Sequence, residues 1–253
     1  MRDPRSILIT GASSGIGEAL ALAYAAAGIR LALSGRDAAR IEAVAAACRG
    51  RGAEVEAAVV DVADRAASAA WIGHLDQSAP IDLVIANAGI SAGTAQGGES
   101  AEQTRAILSV NVDGVLNTVL PLVPAMIRRR HGQIALMSSL ASFHGFAGAP
   151  AYCASKAAVR VWGEGLRLEL RRHGIGVSVI CPGFVESRMS ARNDFPMPFL
   201  ISAEKSARII RRGLAANRGR IAFPFPTYAL VRLLAALPAS LTDPLLTRLP
   251  KKH

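Results

Sequence analysis

Short apolar runs alternate with longer stretches of helical composition along almost the whole 253-residue chain. Residues 6–10, 30–34, 54–60, 81–86, 133–138 and 176–180 predict strands, and 220–223 a weaker seventh. Between them, residues 16–27, 38–49, 65–77, 101–130 and 152–173 have the composition of helices. A strand buried on both faces is nearly all apolar rather than alternating. Ile81, Asp82, Leu83, Val84, Ile85 and Val177, Ser178, Val179, Ile180 come close to that limit. Repeated strand–helix order predicts an α/β fold with one doubly wound parallel sheet of about seven strands and helices on both faces. No linker or composition break divides residues 1–253, so a single domain is expected. In such a sheet ligands bind beyond the carboxyl ends of the strands, near the point where strand order reverses.

Composition narrows the partners. A hydrophobic content of 51% supplies a large core. The formal net charge of +10 and a sequence pI near 10.5 suggest an anionic partner. The arginines are spread through helical segments, apart from short clusters at 128–130, 171–172 and 211–212, and aromatics make up only 5%. With no groove-reading motif, nucleic acid is not an expected partner. A phosphate-bearing cofactor or a membrane surface fits the charge better. Cys48, Cys153 and Cys181 are odd in number and lack CxxC spacing, so neither a disulfide framework nor a zinc site is expected. The histidines His74, His131, His144, His173 and His253 show no ligand spacing either. The amino terminus leaves no room for the apolar region of a signal peptide, and no uninterrupted apolar run reaches the ~20 residues of a membrane span. The expected location is the cytoplasm, with peripheral membrane contact as the alternative.

Candidate chemistry sits at the predicted strand ends. The first strand delivers Thr10, Gly11, Ala12, Ser13, Ser14, Gly15, Ile16 and Gly17 into the first helix. Glycines there permit a tight turn and close approach of backbone to a pyrophosphate, which the helix amino terminus attracts. The spacing is GxxxGxG, not the GxGxxG of the commoner dinucleotide fingerprint. After the second strand, where an NAD site carries an acid for the ribose hydroxyl, the chain has Ser34, Gly35, Arg36. Arg36 can pair with a 2′-phosphate, so NADP(H) is expected and NAD(H) is the alternative. Asp37 argues for NAD(H), although it also suits a helix N-cap. Asp61 and Val62 end the third strand, where the carboxylate serves either the adenine amino group or a local turn or cap. Asn87, Ala88 and Gly89 close the fourth, lining a cofactor, bracing the backbone, or both.

Tyr152 and Lys156 form a YxxxK element whose i,i+4 spacing puts phenol and ammonium on one helix face, roughly 5 to 6 Å apart at Cβ. A cation so placed is expected to lower the phenol's pKa from about 10 and make Tyr152 a proton donor or acceptor.

Together these motifs resemble the short-chain dehydrogenase/reductase family, in its NADP-preferring subgroup and with its Rossmann-type fold. The matching elements are Thr10 to Gly17, Asp61, Asn87 to Gly89, Asn111, Ser139, Tyr152 with Lys156, and Pro182 with Gly183, in family order over roughly residues 6 to 187. The resemblance implies a catalytic tetrad of Asn111, Ser139, Tyr152 and Lys156. Ser139 would polarise the substrate oxygen, Tyr152 would exchange a proton with it, Lys156 would assist the tyrosine and hold the nicotinamide ribose, and Asn111 would help a water chain reach Lys156. Ser138 competes with Ser139, and strand alternation lets only one of them serve. Pro182, Gly183, Phe184, Val185, Glu186 and Ser187 resemble the family's PGxxxT, with Ser187 where threonine is usual; Pro182, Gly183, Val185 and Ser187 are the expected nicotinamide contacts. Cys153 and Cys181 adjoin these motifs but suit small-residue packing better than redox chemistry.

Beyond residue 188 the match fades. Residues 188–202 carry Phe195, Pro196, Met197, Pro198, Phe199 and Leu200 in an irregular order, as expected of a lid over an apolar substrate or of an ordinary surface loop. Residues 225–253 replace the glycine-rich ending of tetrameric relatives with two short apolar helices, 228–237 and 241–249. These are expected to pack on the body or a partner subunit, a dimer being the expected homo-oligomer; the alternative lays them on an anionic membrane with Arg232, Arg248, Lys251 and Lys252 near the headgroups. The leading expectation is an NADP(H)-dependent oxidoreductase acting on a carbonyl/alcohol pair. A non-catalytic redox sensor and a peripheral membrane protein are the competing classes.

Overall fold

The computed structural model describes residues 3–91, 98–192 and 195–246. Its strands are β1 (Ser6–Thr10), β2 (Arg30–Gly35), β3 (Glu54–Val59), β4 (Leu83–Ala86), β5 (Gln133–Met137), β6 (Gly176–Pro182) and β7 (Arg220–Phe223). They pair in parallel as one sheet in the order β3-β2-β1-β4-β5-β6-β7. Strand order reverses between β1 and β4, which opens a crevice over their carboxyl ends.

Side-chain alternation along β1 feeds two separate cores. Ile7 and Ile9 join Leu31, Leu33 and Ile85 under α1 (Gly15–Tyr24), α2 (Ala38–Arg49) and α8 (Ala203–Ala215). Leu8 points to the other face with Ala32, Val84 and Ile134, under α3 (Arg65–Ser78), α5 (Gly114–Val119), α6 (Val123–Arg129) and α7 (Pro150–Arg171). A strand buried on both faces has no position for water, which is why these strands read as nearly unbroken apolar runs.

Several boundaries differ from the sequence reading. The single helix expected over 101–130 is α4 (Ala101–Leu108), a π-helical turn (Ser109–Asp113), α5 and α6. The π turn inserts a residue into the ladder, and Pro121 and Pro124 lack the amide hydrogens that a continuous helix needs. Residues Ala101–Arg129 reach the length and average apolarity of a membrane span, with Glu102, Arg105 and Asp113 interrupting the apolar run. Their Val115, Val119, Leu122 and Met126 are buried in the core instead. Helix α8 was not anticipated, because its charges obscure the one-sided stripe of Ala207, Ile210 and Leu214. Strand β5 stops at Met137, leaving both Ser138 and Ser139 beyond its end, while β6 runs on through Pro182.

At the C-terminal end, α9 (Phe225–Ala236) begins earlier than expected and α10 (Ala239–Leu246) follows. Arg248, Lys251, Lys252 and the end of the second expected helix lie outside the described residues, as do positions 193 and 194 of the expected lid. The rest of that segment holds a 3-10 turn (Ser190–Arg192) and one bridge between Val185 and Ile201.

Candidate active site

The glycine turn between β1 and α1 is tied to the end of β4. Thr10 Oγ1 accepts the amides of Asn87 at 3.2 Å and Ala88 at 3.3 Å, while Asn87 Nδ2 donates to the carbonyls of Thr10 at 3.0 Å and Gly11 at 3.1 Å. Packing here demands glycine: a Cβ on Gly17 would lie 2.3 Å from the Gly11 carbonyl oxygen, and Gly11 itself holds φ +65. Asn87 thus braces the turn, and Asn87, Ala88 and Gly89 line the same cavity as Gly11, Ser13, Ser14, Gly15 and Ile16. The bracing role left open for this tripeptide is seen at Asn87, and all three residues stand on the cavity wall.

Arg36 lies on the cavity wall beside Arg40, which sequence reasoning overlooked. Asp37 caps α2, accepting the Arg40 amide at 3.0 Å, and pairs with the Arg40 guanidinium at 2.9 Å. Its carboxylate is thereby neutralised by the neighbour one turn on. Asp61 lines the cavity and accepts the Ala63 amide at 3.0 Å in a local turn, whereas Asp64 is the residue that caps α3. Val62 lines it too, with its carbonyl held by Asn117 Nδ2 at 2.9 Å.

Beyond β5, the two serines divide. Ser138 Oγ donates to the Lys156 carbonyl at 2.7 Å and is spent on the helix backbone. Ser139 Oγ accepts the Ala141 amide at 3.1 Å and donates to the Pro182 carbonyl at 3.5 Å, and it lies near enough to the Tyr152 phenol to favour the phenolate. Lys156 Nζ stands 5.8 Å from the Tyr152 ring centroid and donates to the Met137 carbonyl at 3.0 Å. Asn111 sits in the π turn and is fully buried; its Oδ1 accepts the Ile90 amide at 2.8 Å, and its Nδ2 donates to the Ile90 carbonyl at 2.9 Å and to Ser155 Oγ at 3.0 Å. A Cβ on Gly89 would meet Asn111 Oδ1 at 3.1 Å and Lys156 Nζ at 3.2 Å, so that glycine lets the two side chains approach. The four residues of the expected tetrad are thus neighbours, drawn from three different elements.

The electrostatics differ from the sequence reading in one respect. Burial raises the Tyr152 phenol above its ordinary value, and the Ser139 hydroxyl offsets this only in part. The expected lowering by Lys156 is therefore corrected: loss of water around the ring disfavours the phenolate, and the ammonium 5.8 Å from the ring centroid does not offset it. Lys156 is itself only 4% exposed, and burial brings it down from 10.5 to about 8. Burial also pushes the Cys181 thiol up to about 11 and raises Cys153, which keeps both as inert packing groups.

Ser139, Tyr152 and Lys156 share one cavity of about 680 Å³ with the glycine turn, whereas Gly17, Asn111 and Cys181 lie behind its wall. Pro182, Gly183, Val185 and Ser187 line it between the glycine turn and the tyrosine. Ser187 packs over Gly15, where a Cβ would come within 3.0 Å of it, and its hydroxyl accepts the Ser190 amide at 3.1 Å. The far end is apolar, walled by Phe146, Phe184, Phe195, Leu230, Val231 and Leu246. Helix α9 is held there by Tyr228, which meets Phe143 edge-on at 5.6 Å and accepts from Arg220 at 3.1 Å. Among the described residues no group of three or more His, Cys, Asp or Glu is placed to hold a metal. The glycine cradle, the paired arginines and the small residues of β4 fit a phosphate-bearing dinucleotide.

The family model for short chain dehydrogenase matches residues 5–195. An uncharacterized oxidoreductase of Myxococcus xanthus is 37% identical over 246 residues, 97% of each chain. A granaticin polyketide synthase putative ketoacyl reductase of Streptomyces violaceoruber is 36% identical over 188 residues, 73% of this chain and 69% of that protein. Among solved structures, a short-chain dehydrogenase from Sphingobium yanoikuyae in complex with NADPH superposes with a TM-score of 0.80 at 28% identity, covering 98% of this chain and 97% of that one.

Proposed function

This chain belongs to the short chain dehydrogenase family of oxidoreductases, and on that premise we propose that it interconverts a carbonyl and an alcohol with NADP(H), using Tyr152 as general acid and base. The observation that carries the reading is the meeting of Ser139, Tyr152 and Lys156 at the wall of one cavity that also reaches the glycine turn and Arg36. A bound nicotinamide would supply or accept the hydride.

The side chains divide the remaining work. Ser139, on the cavity wall with Tyr152, would orient the substrate oxygen beside the phenol. Tyr152, held protonated by burial, is ready to donate its proton to a carbonyl oxygen, which suits the reductive direction at neutral pH. Lys156, with its ammonium at about 8, is the nearby group able to return that proton. Oxidation needs a phenolate and is therefore favoured by raising the pH. Asn111 holds Ile90 and Ser155 in place around this group.

Arg36 and Arg40 support NADP(H) over NAD(H), because both line the cavity that holds the glycine turn and Asp37 is paired with Arg40. The relative solved with NADPH supports the same choice. The aromatic and aliphatic walls support an apolar substrate, and the ketoacyl reductase named among the relatives supports reduction of a ketone.

A panel of aldehydes and ketones incubated with NADPH or NADH, followed by nucleotide absorbance, tests the reading. Tyr152→Phe should keep NADPH binding and lose ~10²- to 10⁴-fold in turnover. Full turnover in that variant would remove the phenol from the mechanism.

A further inference from the structure

Helix α7 carries Tyr152 and Lys156, yet it has no cap of its own. Pro150 opens it, and Ala149 at the N-cap position offers no side-chain acceptor. The next amides, those of Ala151 and Tyr152, are among the donors that a helix start leaves unpaired. They are taken by a carboxylate from elsewhere in the chain: Glu99 Oε2 accepts the Ala151 amide at 2.6 Å and Oε1 accepts that of Tyr152 at 3.4 Å. A carboxylate there also meets the positive end of the helix dipole.

Glu99 does not stand alone. The next residue, Ser100, is the N-cap of α4 and forms a reciprocal capping box with Gln103. Helix α4 runs into the π turn bearing Asn111, whose Nδ2 reaches Ser155 on α7, one turn beyond Tyr152. Ser155 Oγ in turn donates to the Tyr152 carbonyl at 2.7 Å. The first turn of α7 is therefore held on both sides of Tyr152, by Glu99 before α4 and by Asn111 after it.

We propose that Glu99 is a positioning residue for Tyr152: its carboxylate fixes the opening turn of α7 and so holds the phenol beside Ser139. This rests on the functional reading above. Glu99 touches neither phenol nor ammonium and acts only through the backbone of the turn. Misplacing a reacting group by about 1 Å can cost on the order of 10²-fold in rate.

The test uses the full chain with Glu99→Ala and Glu99→Gln. The alanine variant should lose roughly 10- to 100-fold in kcat with NADPH affinity within about twofold of the parent. The glutamine variant, which keeps an oxygen for the Ala151 amide, should recover most of that loss. A second readout needs no turnover. Cys153 lies in the same turn and is 4% exposed, while Cys48 and Cys181 are fully buried. A disulfide exchange reagent with peptide mapping should label Cys153 faster in Glu99→Ala and leave the other two thiols protected. Unchanged kcat with unchanged Cys153 labelling would overturn the proposal. So would equal labelling of all three thiols together with lost NADPH binding, because Glu99 would then serve the whole fold. Should the parent turn over no carbonyl, the functional reading fails, and the thiol measurement still decides whether Glu99 holds the turn.

Discussion

Replacing Lys156 by methionine should make the protein more stable and nearly inactive at once. The lysine is 4% exposed, and burial brings its ammonium from 10.5 to about 8. Keeping that charge in the fold at neutral pH costs about 3 kcal/mol. Methionine has similar length, no charge and a flexible stem that fills the same space. Its cost is the hydrogen bond to the Met137 carbonyl at 3.0 Å; leaving that acceptor unpaired is worth about 1–2 kcal/mol. A net gain of about 1–2 kcal/mol remains, which for a chain of this size raises Tm by about 3–6 °C.

The sign of the pH dependence separates this account from simple repacking. The folded-state value lies below the unfolded one, so between pH 8 and 10.5 the unfolded chain holds more protons and wild-type stability from this group rises with pH. Below pH 8 the penalty is present in full. The Tm advantage of Lys156→Met should therefore be largest at pH 7, vanish as the pH rises between 8 and 10.5, and turn into a small deficit by pH 10.5, where only the lost hydrogen bond to Met137 remains, read by circular dichroism melts at several pH values. Carbonyl reduction with NADPH should fall by at least ~10²-fold in the same variant. A variant that melts several degrees lower at pH 7, or whose difference from the parent ignores pH, would refute the buried-ammonium argument. One with unimpaired turnover would remove Lys156 from the chemistry.

Arg36→Glu should weaken NADPH binding by roughly 10- to 100-fold, since a charge-assisted hydrogen bond worth about 1.5–3 kcal/mol is replaced by repulsion; NADH binding, measured in parallel by calorimetry, should change far less. Gly17→Ala puts a methyl group 2.3 Å from the Gly11 carbonyl and 2.6 Å from Asn87 Nδ2. The turn must open to admit it, at about 1–3 kcal/mol, and NADPH affinity should collapse together with the fall in Tm.

Much of this is legible in the sequence. The strands showed because burial on both faces leaves them apolar, and the candidate site showed because parallel sheets gather their strand ends on one side. Ser34, Gly35 and Arg36, like the glycines from Gly11 to Gly17, are local features whose meaning depends on a few neighbouring residues. The break at Ser109–Asp113 was hidden, because the composition of residues 101–130 is helical throughout and only packing around Asn111 selects a π turn. Helix α8 was hidden by its charges, although Ala207, Ile210 and Leu214 keep helical spacing on its buried side.

Periodicity and strand-end motifs are one-dimensional properties, so the chain alone determined the order of elements, the kind of sheet and which residues stand at its carboxyl edge. Tertiary structure decided what distance along the chain conceals. It tied Ser138 to the Lys156 carbonyl while leaving Ser139 on the cavity wall with Tyr152, and joined Glu99 to Ala151 across 52 positions. It also reversed the expected shift of Tyr152, because a titrating group answers to the water it has lost as well as to the cation beside it, and only the packed chain says how much water is gone.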